Sequence, residues 1–392
     1  MSADPTDLAR HYARFRVAER VLLTGHSHQA WPDVGFAAQQ DAWLDAAEHV
    51  DDKWDRAFAK ADRVRAGFAR LLDDDGADIA LASSTHDLVV RFLSALPLAR
   101  RPRIVTTDGE FHTVRRQLDR LSEEGIEIVR VPSRPVTQVA ERIKKIVTDR
   151  TAAVLVSAVL YENAHIVPNL GLAMDACRRL GVELLVDAYH ALNVVPFSLA
   201  AERLGDAFIV CGGYKYCQLG EGNAFLRIPK ECTLRPVVTG WFSEFSELAR
   251  PPYAGQVPYG DGPARFAGAT YDPTSHYRAA AVFDFFEQQG LSPAVLRKIS
   301  QHQVGFLARE FDALDVDPQV IDRDRRTVPL SSIGGFLSLR APRAAELSRT
   351  LRARGVWTDY RGELLRLGPA PYVSDDQLRA ALSALRSVAS AL

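Results

Sequence analysis

Two short segments of the chain carry residue types that can do chemistry together. Asp187-Ala188-Tyr189-His190 follows the apolar run 182–186, and Gly213-Tyr214-Lys215-Tyr216 follows the apolar run 207–210. Apolar runs of this length, bounded by polar and glycine residues, predict buried strands. An acid and a lysine therefore come just past two core strands, which is an arrangement typical of an enzyme site.

This pair of residues suits pyridoxal phosphate (PLP) as a cofactor. A lysine forms the Schiff base with it, and a carboxylate keeps its pyridinium nitrogen protonated, so that the ring can act as an electron sink. Taken alone, a lysine is more often a surface residue, and Asp187 could bind a metal or a ribose. Their joint placement favours PLP, with Lys215 and Asp187 as the catalytic residues.

A second segment predicts where the phosphate of the cofactor binds. Ser83-Ser84-Thr85 follows the predicted strand 79–82 and precedes an apolar helix. Hydroxyl residues at a helix start add O–H donors to free backbone N–H groups, where the helix dipole favours an anion. Ser84 and Thr85 are therefore candidate phosphate ligands, although a simple N-cap is an alternative and is compatible with this role. The glycines form neither a dinucleotide-binding fingerprint nor a P-loop, which disfavours a nucleotide.

The elements that must position these residues alternate between strands and helices. Predicted strands are 79–82, 104–106, 126–131, 153–158, 182–186, 208–210 and 224–228, with helical segments such as 88–96 and 170–180 between them. This alternation predicts an α/β fold with a mainly parallel sheet covered by helices. Ligands of such sheets bind outside the carboxyl ends of the strands, where Asp187 and Lys215 fall.

The length of 392 residues is large for a single core and predicts a large domain with a smaller one. We expect residues 1–55 to form an N-terminal segment packed with the small domain, residues 56–272 the large PLP-binding domain, and residues 273–392 a small C-terminal α+β domain. The Pro- and Gly-rich segment 250–272 is expected to be an extended connection between them.

Composition disfavours several classes of partner. The formal net charge is −1, from 48 basic and 49 acidic residues, so nothing favours nucleic acid or an anionic membrane surface. Apolar runs stay well short of the ~20 residues that cross a bilayer, and the first residues do not resemble a signal peptide. Four cysteines in no metal-like pairing favour a reduced, cytoplasmic protein without a metal site.

Motifs spread over most of the chain resemble one known family. They are Gly25-His26-Ser27 with Pro32, Ser83-Ser84-Thr85, Glu110-Phe111-His112-Thr113, Asp187-Ala188-Tyr189-His190, Tyr214-Lys215-Tyr216, Arg235-Pro236 with Thr239-Gly240-Trp241-Phe242, the run 265–270, and Leu365-Arg366-Leu367-Gly368-Pro369. In order and spacing they resemble the class V aminotransferase group of fold-type I PLP enzymes, with kynureninase as the most similar member.

The resemblance implies roles for residues around the cofactor. Phe111 stacks on its ring, His190 lies near the phosphate and the ring hydroxyl, and Tyr214 donates its hydroxyl to the phosphate. Thr270 reaches the phosphate of the neighbouring subunit, and Trp241 lines the same face. Sites shared in this way imply a homodimer.

The resemblance also implies how an amino-acid substrate is held. Arg366 matches the arginine that grips the α-carboxylate, a bidentate task to which lysine is poorly suited. His26 and Ser27 are expected on the same substrate side.

Three departures affect the reaction more than the cofactor. Val114 stands where kynureninases usually have an acid, Leu160 where they usually have an asparagine, and Glu244 near a usual histidine. Three classes therefore remain open: a kynureninase-like hydrolase, including one that acts on a modified substrate; a class V aminotransferase or β-lyase; and a non-catalytic PLP-binding protein. Cysteine desulfurase is disfavoured because no cysteine follows Cys232.

Overall fold

The computed structural model describes residues 4–248, 255, 257–323 and 328–392. Within these residues the α-helices are α1 Pro5–Ala9, α2 Val34–His49, α3 Lys53–Leu71, α4 Thr85–Ala95, α5 His112–Glu123, α6 Val139–Ile146, α7 Leu170–Leu180, α8 Thr274–Gln288, α9 Pro293–Asp312, α10 Ala344–Ala353 and α11 Asp375–Ala389. None of the helices in this part of the chain combines the length and the apolar character needed to cross a membrane.

The strands are short. They are β1 Val21–Leu22, β2 Asp78–Ala82, β3 Arg103–Thr107, β4 Glu127–Val131, β5 Thr151–Ser157, β6 Glu183–Asp187, β7 Phe208–Gly212, β8 Ala224–Ile228, β9 Leu337–Arg340, β10 Val356–Trp357, β11 Asp359–Arg361 and β12 Leu364–Leu367.

Seven strands form the central sheet in the order β2-β8-β7-β6-β5-β3-β4. The five strands from β7 to β4 run parallel, and β8 is antiparallel to both of its neighbours. A single sheet that is mainly parallel confirms the predicted α/β fold class.

Both faces of this sheet are covered. In β6, Leu184 and Val186 pack into one apolar cluster while Leu185 packs into another on the opposite face. Successive strand residues point to opposite faces, and a parallel strand buried on both sides reads as a continuous apolar run. The run 182–186 has this pattern because helices cover both of its faces.

The C-terminal part carries a second, antiparallel sheet in the order β11-β12-β9. Strand β1, near the chain start, pairs in parallel with β10, which brings the N-terminal segment against this region. The domain boundaries remain a prediction. The predicted connection 250–272 lies partly outside the described residues, and within it Gly262–Phe266 forms a short 3-10 helix.

Candidate active site

A cavity of about 370 Å³ lies at the carboxyl edge of the central sheet. Strands β3, β5, β6 and β7 run parallel, so their carboxyl ends and the loops after them meet at this edge. The cavity brings together seven residues named from the sequence, which are Ser84, Thr85, Phe111, Asp187, His190, Tyr214 and Lys215.

Lys215 lies in the loop after β7 and is buried. Its Nζ is 2.8 Å from Nε2 of His190 and lies 5.4 Å from the centre of the Phe111 ring. Burial lowers the pKa of Lys215 to about 7, against the opposing effect of Asp187 and with a smaller contribution from the charge of Arg366. An amine with such a pKa can give up and take back a proton at neutral pH.

His190 is also held in its neutral form. Burial lowers its pKa well below the usual range, and the charges of Lys215 and Arg366 act in the same direction. The resemblance to class V enzymes implies that His190 lies near the phosphate and the ring hydroxyl. The structure places its ring beside the lysine amine, and its role toward a cofactor remains a prediction.

Asp187 ends β6, and its Oδ1 accepts a hydrogen bond of 2.8 Å from the backbone N–H of Tyr189. Burial raises the pKa of this carboxyl, while that hydrogen bond and the charge of Lys215 lower it. The backbone of β7 approaches Tyr189 so closely that a Cβ at Gly212 would lie 2.2 Å from its hydroxyl oxygen. The Asp187 carboxylate is therefore held in place where the ends of β6 and β7 pack tightly together.

The N-terminus of α4 also lines the cavity. Ser84 caps this helix, since its Oγ accepts from the backbone N–H of Asp87 at 3.2 Å. The carboxylate of Asp87 accepts a hydrogen bond from the Ser83 hydroxyl and lines a neighbouring cleft, not this cavity. The N-cap interpretation is thus confirmed, and phosphate binding by Ser84 and Thr85 stays a prediction that this geometry permits.

Arg366 does not line the cavity wall with Lys215. It is almost fully buried in β12, donates to the backbone carbonyl of Tyr161 at 2.5 Å and forms an ion pair with Asp359. Its Nε has no hydrogen-bond partner among the described residues. The guanidinium predicted to hold a substrate carboxylate thus already has one carboxylate partner from its own chain.

The other two substrate-side candidates also lie apart from the cavity. His26 is fully buried, with Nε2 at 3.5 Å from Oδ2 of Asp359, and burial lowers its pKa to about 3. The hydroxyl oxygen of Ser27 lies 3.1 Å from Nδ1 of His28, whose ring stacks on Tyr214. The segment 26–28 therefore runs from Asp359, the partner of Arg366, to Tyr214 at the edge of the cofactor cavity.

Trp241 and Thr270 contact each other and not the cavity of their own chain. Nε1 of Trp241 donates to Oγ1 of Thr270 at 3.2 Å, and both residues are exposed. Their predicted role in a neighbouring subunit remains a prediction.

Sequence reasoning missed several polar residues of the site. Ser157 ends β5, pairs with Asp187 across the two strands, and lines the cavity, as does His86 in the first turn of α4. The rule that pointed to Asp187, a polar residue at a strand end, would have found Ser157. Asp359 carried no such signal, because its importance comes from a contact with His26 that spans most of the chain.

The donor set of the cavity fits PLP. Hydroxyl and backbone N–H donors at a helix start suit a phosphate, and the same cavity offers a lysine amine to attach the cofactor and a buried carboxylate for its ring nitrogen. Among the described residues, no group of three or more His, Cys, Asp or Glu side chains is arranged to hold a metal ion.

The chain is similar in sequence to several known proteins. No family model matches the chain. It is 24% identical to the uncharacterized aminotransferase YcbU of Bacillus subtilis over 364 residues, covering 92% of each protein. It is 26% identical to the kynureninase of Bacillus mycoides, covering 90% of this chain and 80% of that protein. It is also 26% identical to the isopenicillin N epimerase of Streptomyces clavuligerus, covering 87% of this chain and 88% of that protein.

Among solved structures, the cystine C-S lyase C-DES bound to cysteine persulfide superposes with a TM-score of 0.82 at 17% identity, covering 95% of this chain and 98% of that one. The cysteine desulfurase of Thermococcus onnurineus NA1 gives 0.82 at 16% identity and full coverage of both chains. At such identities these structures establish the fold, while the sequence relatives span nearly the whole chain. With its lysine and acid at adjacent strand ends, the protein is a PLP-dependent enzyme that is similar, in sequence and in fold, to the class V aminotransferase group of fold-type I.

Proposed function

We propose that the protein uses PLP to act on an amino acid, as a kynureninase-like hydrolase that cleaves the carbon–carbon bond beside a side-chain ketone. The observation that carries this proposal is the buried Lys215, whose Nζ lies within hydrogen-bonding distance of His190 in the same cavity as Asp187. This is the donor and acceptor set that removal of an α-proton from an amino acid requires.

The residues of the cavity would divide the work. Ser84, Thr85 and Tyr214 would hold the phosphate, Phe111 would stack on the ring, and Asp187 would face the ring nitrogen. PLP bound in this way supplies an electron sink for the α-carbon. Lys215 would hold the cofactor, and its amine would take up the α-proton, which its pKa of about 7 permits at neutral pH.

The residues on the substrate side of the cavity support the proposal that the substrate is a modified analogue of kynurenine. Val114, in the first turn of α5, is buried and lines the cavity where kynureninases resembling this chain usually have an acid. Hydration of an aryl ketone demands specific polar contacts, and an apolar side chain removes one of them. We therefore expect kynurenine cleavage to be weak or confined to a modified analogue.

Transamination is the second candidate. The similarity to an aminotransferase over 92% of both chains supports it, and the reaction begins with the same proton removal. Desulfuration is disfavoured in spite of the shared fold, because the chain has no cysteine after Cys232 to act as a nucleophile in the C-terminal part.

We also propose a cytoplasmic homodimer with sites shared between the subunits. The exposed Trp241 contacts the exposed Phe245, with ring centres 5.3 Å apart, and Val237 and Val238 shortly before it in the chain are exposed as well. Large exposed apolar residues in one region are typical of a protein interface.

The test is to incubate the purified protein and PLP with a panel of amino acids in deuterated water. The panel includes kynurenine and 3-hydroxykynurenine. We expect deuterium at the α-carbon of one or more amino acids, with slow or no release of anthranilate from kynurenine. Rapid anthranilate release would show an ordinary kynureninase, whereas conversion of the amino acid to a keto acid would favour the aminotransferase. No exchange with any amino acid would overturn the proposal.

A further inference from the structure

Glu110 is a buried acid that the proposed function leaves unused. It lies in the loop between β3 and α5, only 4% exposed. Its Oε1 accepts hydrogen bonds from Oγ1 of Thr107 at 2.6 Å and from the backbone N–H of Ser157 at 3.2 Å, and its Oε2 accepts from Oγ of Ser157 at 2.6 Å. All three donors are neutral, and they come from two different strands.

Glu110 connects two neighbouring strands at their carboxyl ends. Thr107 is the last residue of β3 and Ser157 the last of β5, and these neighbouring strands run parallel. Their backbone pairing ends at Val105, opposite Val154. The Glu110 carboxyl therefore joins the carboxyl ends of β3 and β5 where the backbone ladder has stopped.

This connection lies directly beneath the cavity. Phe111 follows Glu110 in the chain, and Ser157 lines the cavity and pairs with Asp187 on β6. Phe111 lies on one side of this connection, and Ser157, the neighbour of Asp187, lies on the other. The geometry of the connection therefore sets the distance between the Phe111 ring and the Asp187 carboxylate. We infer that Glu110 is a positioning residue, which fastens the loop carrying Phe111 to the strand end at Ser157 and so shapes the PLP site; this inference rests on the proposed function.

The charge of Glu110 is not required for this task. Burial raises its pKa to about 7, with a contribution from Asp187, while the hydrogen bonds from Ser157 and Thr107 act in the opposite direction. An amide in the same place can accept the same two bonds at its oxygen and donate to the Ser157 hydroxyl from its nitrogen. The Glu110→Gln variant should therefore preserve the hydrogen bonds to Thr107 and Ser157 that Glu110→Ala removes.

The experiment compares these two variants by amide hydrogen exchange and by PLP titration. In the cofactor-free protein, Glu110→Ala should speed exchange of the Ser157 amide by about tenfold or more, the scale of one lost buried hydrogen bond. The same variant should weaken PLP binding by about tenfold and reduce the visible circular dichroism of bound PLP. Glu110→Gln should stay within about twofold of the native protein in each measurement.

A matched control separates positioning from general loss of stability. Asp74 forms a partly buried ion pair with Arg227, which also donates to the carbonyls of Gly205 and Ala207 just before β7, at the opposite edge of the sheet. Asp74→Ala should lower the melting temperature yet leave Ser157 exchange and PLP affinity unchanged. If it weakens PLP binding as much as Glu110→Ala does, the positioning role is wrong.

The two proposals fail in different ways. If the native protein does not bind PLP, the proposed function is wrong, but the exchange of Ser157 in the cofactor-free protein still shows whether Glu110 joins the strands. If the native protein binds PLP and Glu110→Ala matches it in both exchange and affinity, the inference about Glu110 is overturned.

Discussion

The cofactor end and the carboxylate end of this site are built in different ways. Lys215 and Asp187 stand at the ends of neighbouring strands of one sheet, beside an open cavity of about 370 Å³. Arg366 stands in a second sheet, outside that cavity, and already pairs with Asp359. The first region is ready to receive a ligand, whereas in the second a substrate carboxylate must share its arginine with an acid from the same chain.

This difference has an electrostatic side. Burial lowers the pKa of Lys215, and the charge of Asp187 offsets this loss of water only in part. Asp359 lies beside two arginines: burial acts to raise its pKa, but its contact with His26 and the charges of Arg366 and Arg361 hold it well below its usual range. The cofactor end thus carries a group that changes its proton near neutral pH, and the carboxylate end carries fixed charges suited to binding.

The largest expected effect tests the cofactor end. Lys215→Ala should lower α-proton exchange by about 10²–10⁴-fold, since it removes both the attachment point of PLP and the base. In the native protein, borohydride reduction followed by peptide mapping should label the peptide containing Tyr214-Lys215-Tyr216. Lys230→Ala, an exposed lysine after β8, is the control and should keep full exchange. Label on a different peptide would show that the lysine was assigned wrongly.

The cofactor end could be predicted because its signals are local. Each strand of the central sheet is an apolar run, and the chemistry of parallel sheets lies at the residues that follow such runs. That rule found Asp187 and Lys215, and the hydroxyl residues before α4 revealed the helix start.

The carboxylate end could not be predicted in the same way. Arg366 was named only through a resemblance, and its partner Asp359 lies in a three-residue strand with no distinctive pattern. The contact between His26 and Asp359 depends on how the N-terminal segment packs against the second sheet, as in the pairing of β1 with β10. Contacts between such remote segments are set by tertiary packing, which hydrophobic periodicity does not encode.

The next effect tests the carboxylate end. Arg366→Ala should weaken amino-acid binding by roughly 2–4 kcal/mol, the scale for removing one partner of a buried carboxylate pair, while PLP binding stays normal. Arg361→Ala is the matched control, because Arg361 pairs with the same Asp359 at 2.8 Å but is more exposed, and it should cost less than about 1 kcal/mol. Titration with the best amino acid of the panel measures both. Normal amino-acid binding by Arg366→Ala would leave Arg366 a purely structural role.

The pH dependence of stability tests Glu110, which lies next to the cofactor cavity. Folding raises the pKa of Glu110 from 4.5 to about 7, so the folded state binds more protons than the unfolded state between these values. The contribution of Glu110 to the free energy of unfolding is therefore complete below pH 4.5 and is lost as pH rises to about 7. Glutamine does not titrate, so the Glu110→Gln variant does not lose this stability as the pH rises. In urea unfolding, the free energy of unfolding of the variant should therefore increase relative to that of the native protein by up to roughly 3 kcal/mol between pH 4.5 and 7. A difference that does not change with pH would mean that Glu110 is ionised throughout.

The smallest expected effect concerns Trp241 and Thr270, which contact each other but do not line the cavity of their own chain. Thr270→Val keeps the size of the side chain but removes the hydroxyl that accepts a hydrogen bond from Trp241. If Thr270 reaches the phosphate of PLP in a neighbouring subunit, the variant should weaken PLP binding by about 1 kcal/mol, the net contribution of one hydrogen bond. Thr137→Val, at another exposed threonine, is the control. Titration at two protein concentrations separates the possibilities, because a residue supplied by a second subunit matters only where the dimer forms. An effect of Thr270→Val that is the same in monomer and dimer would place its action within one chain, and the division of the site between subunits would then be wrong.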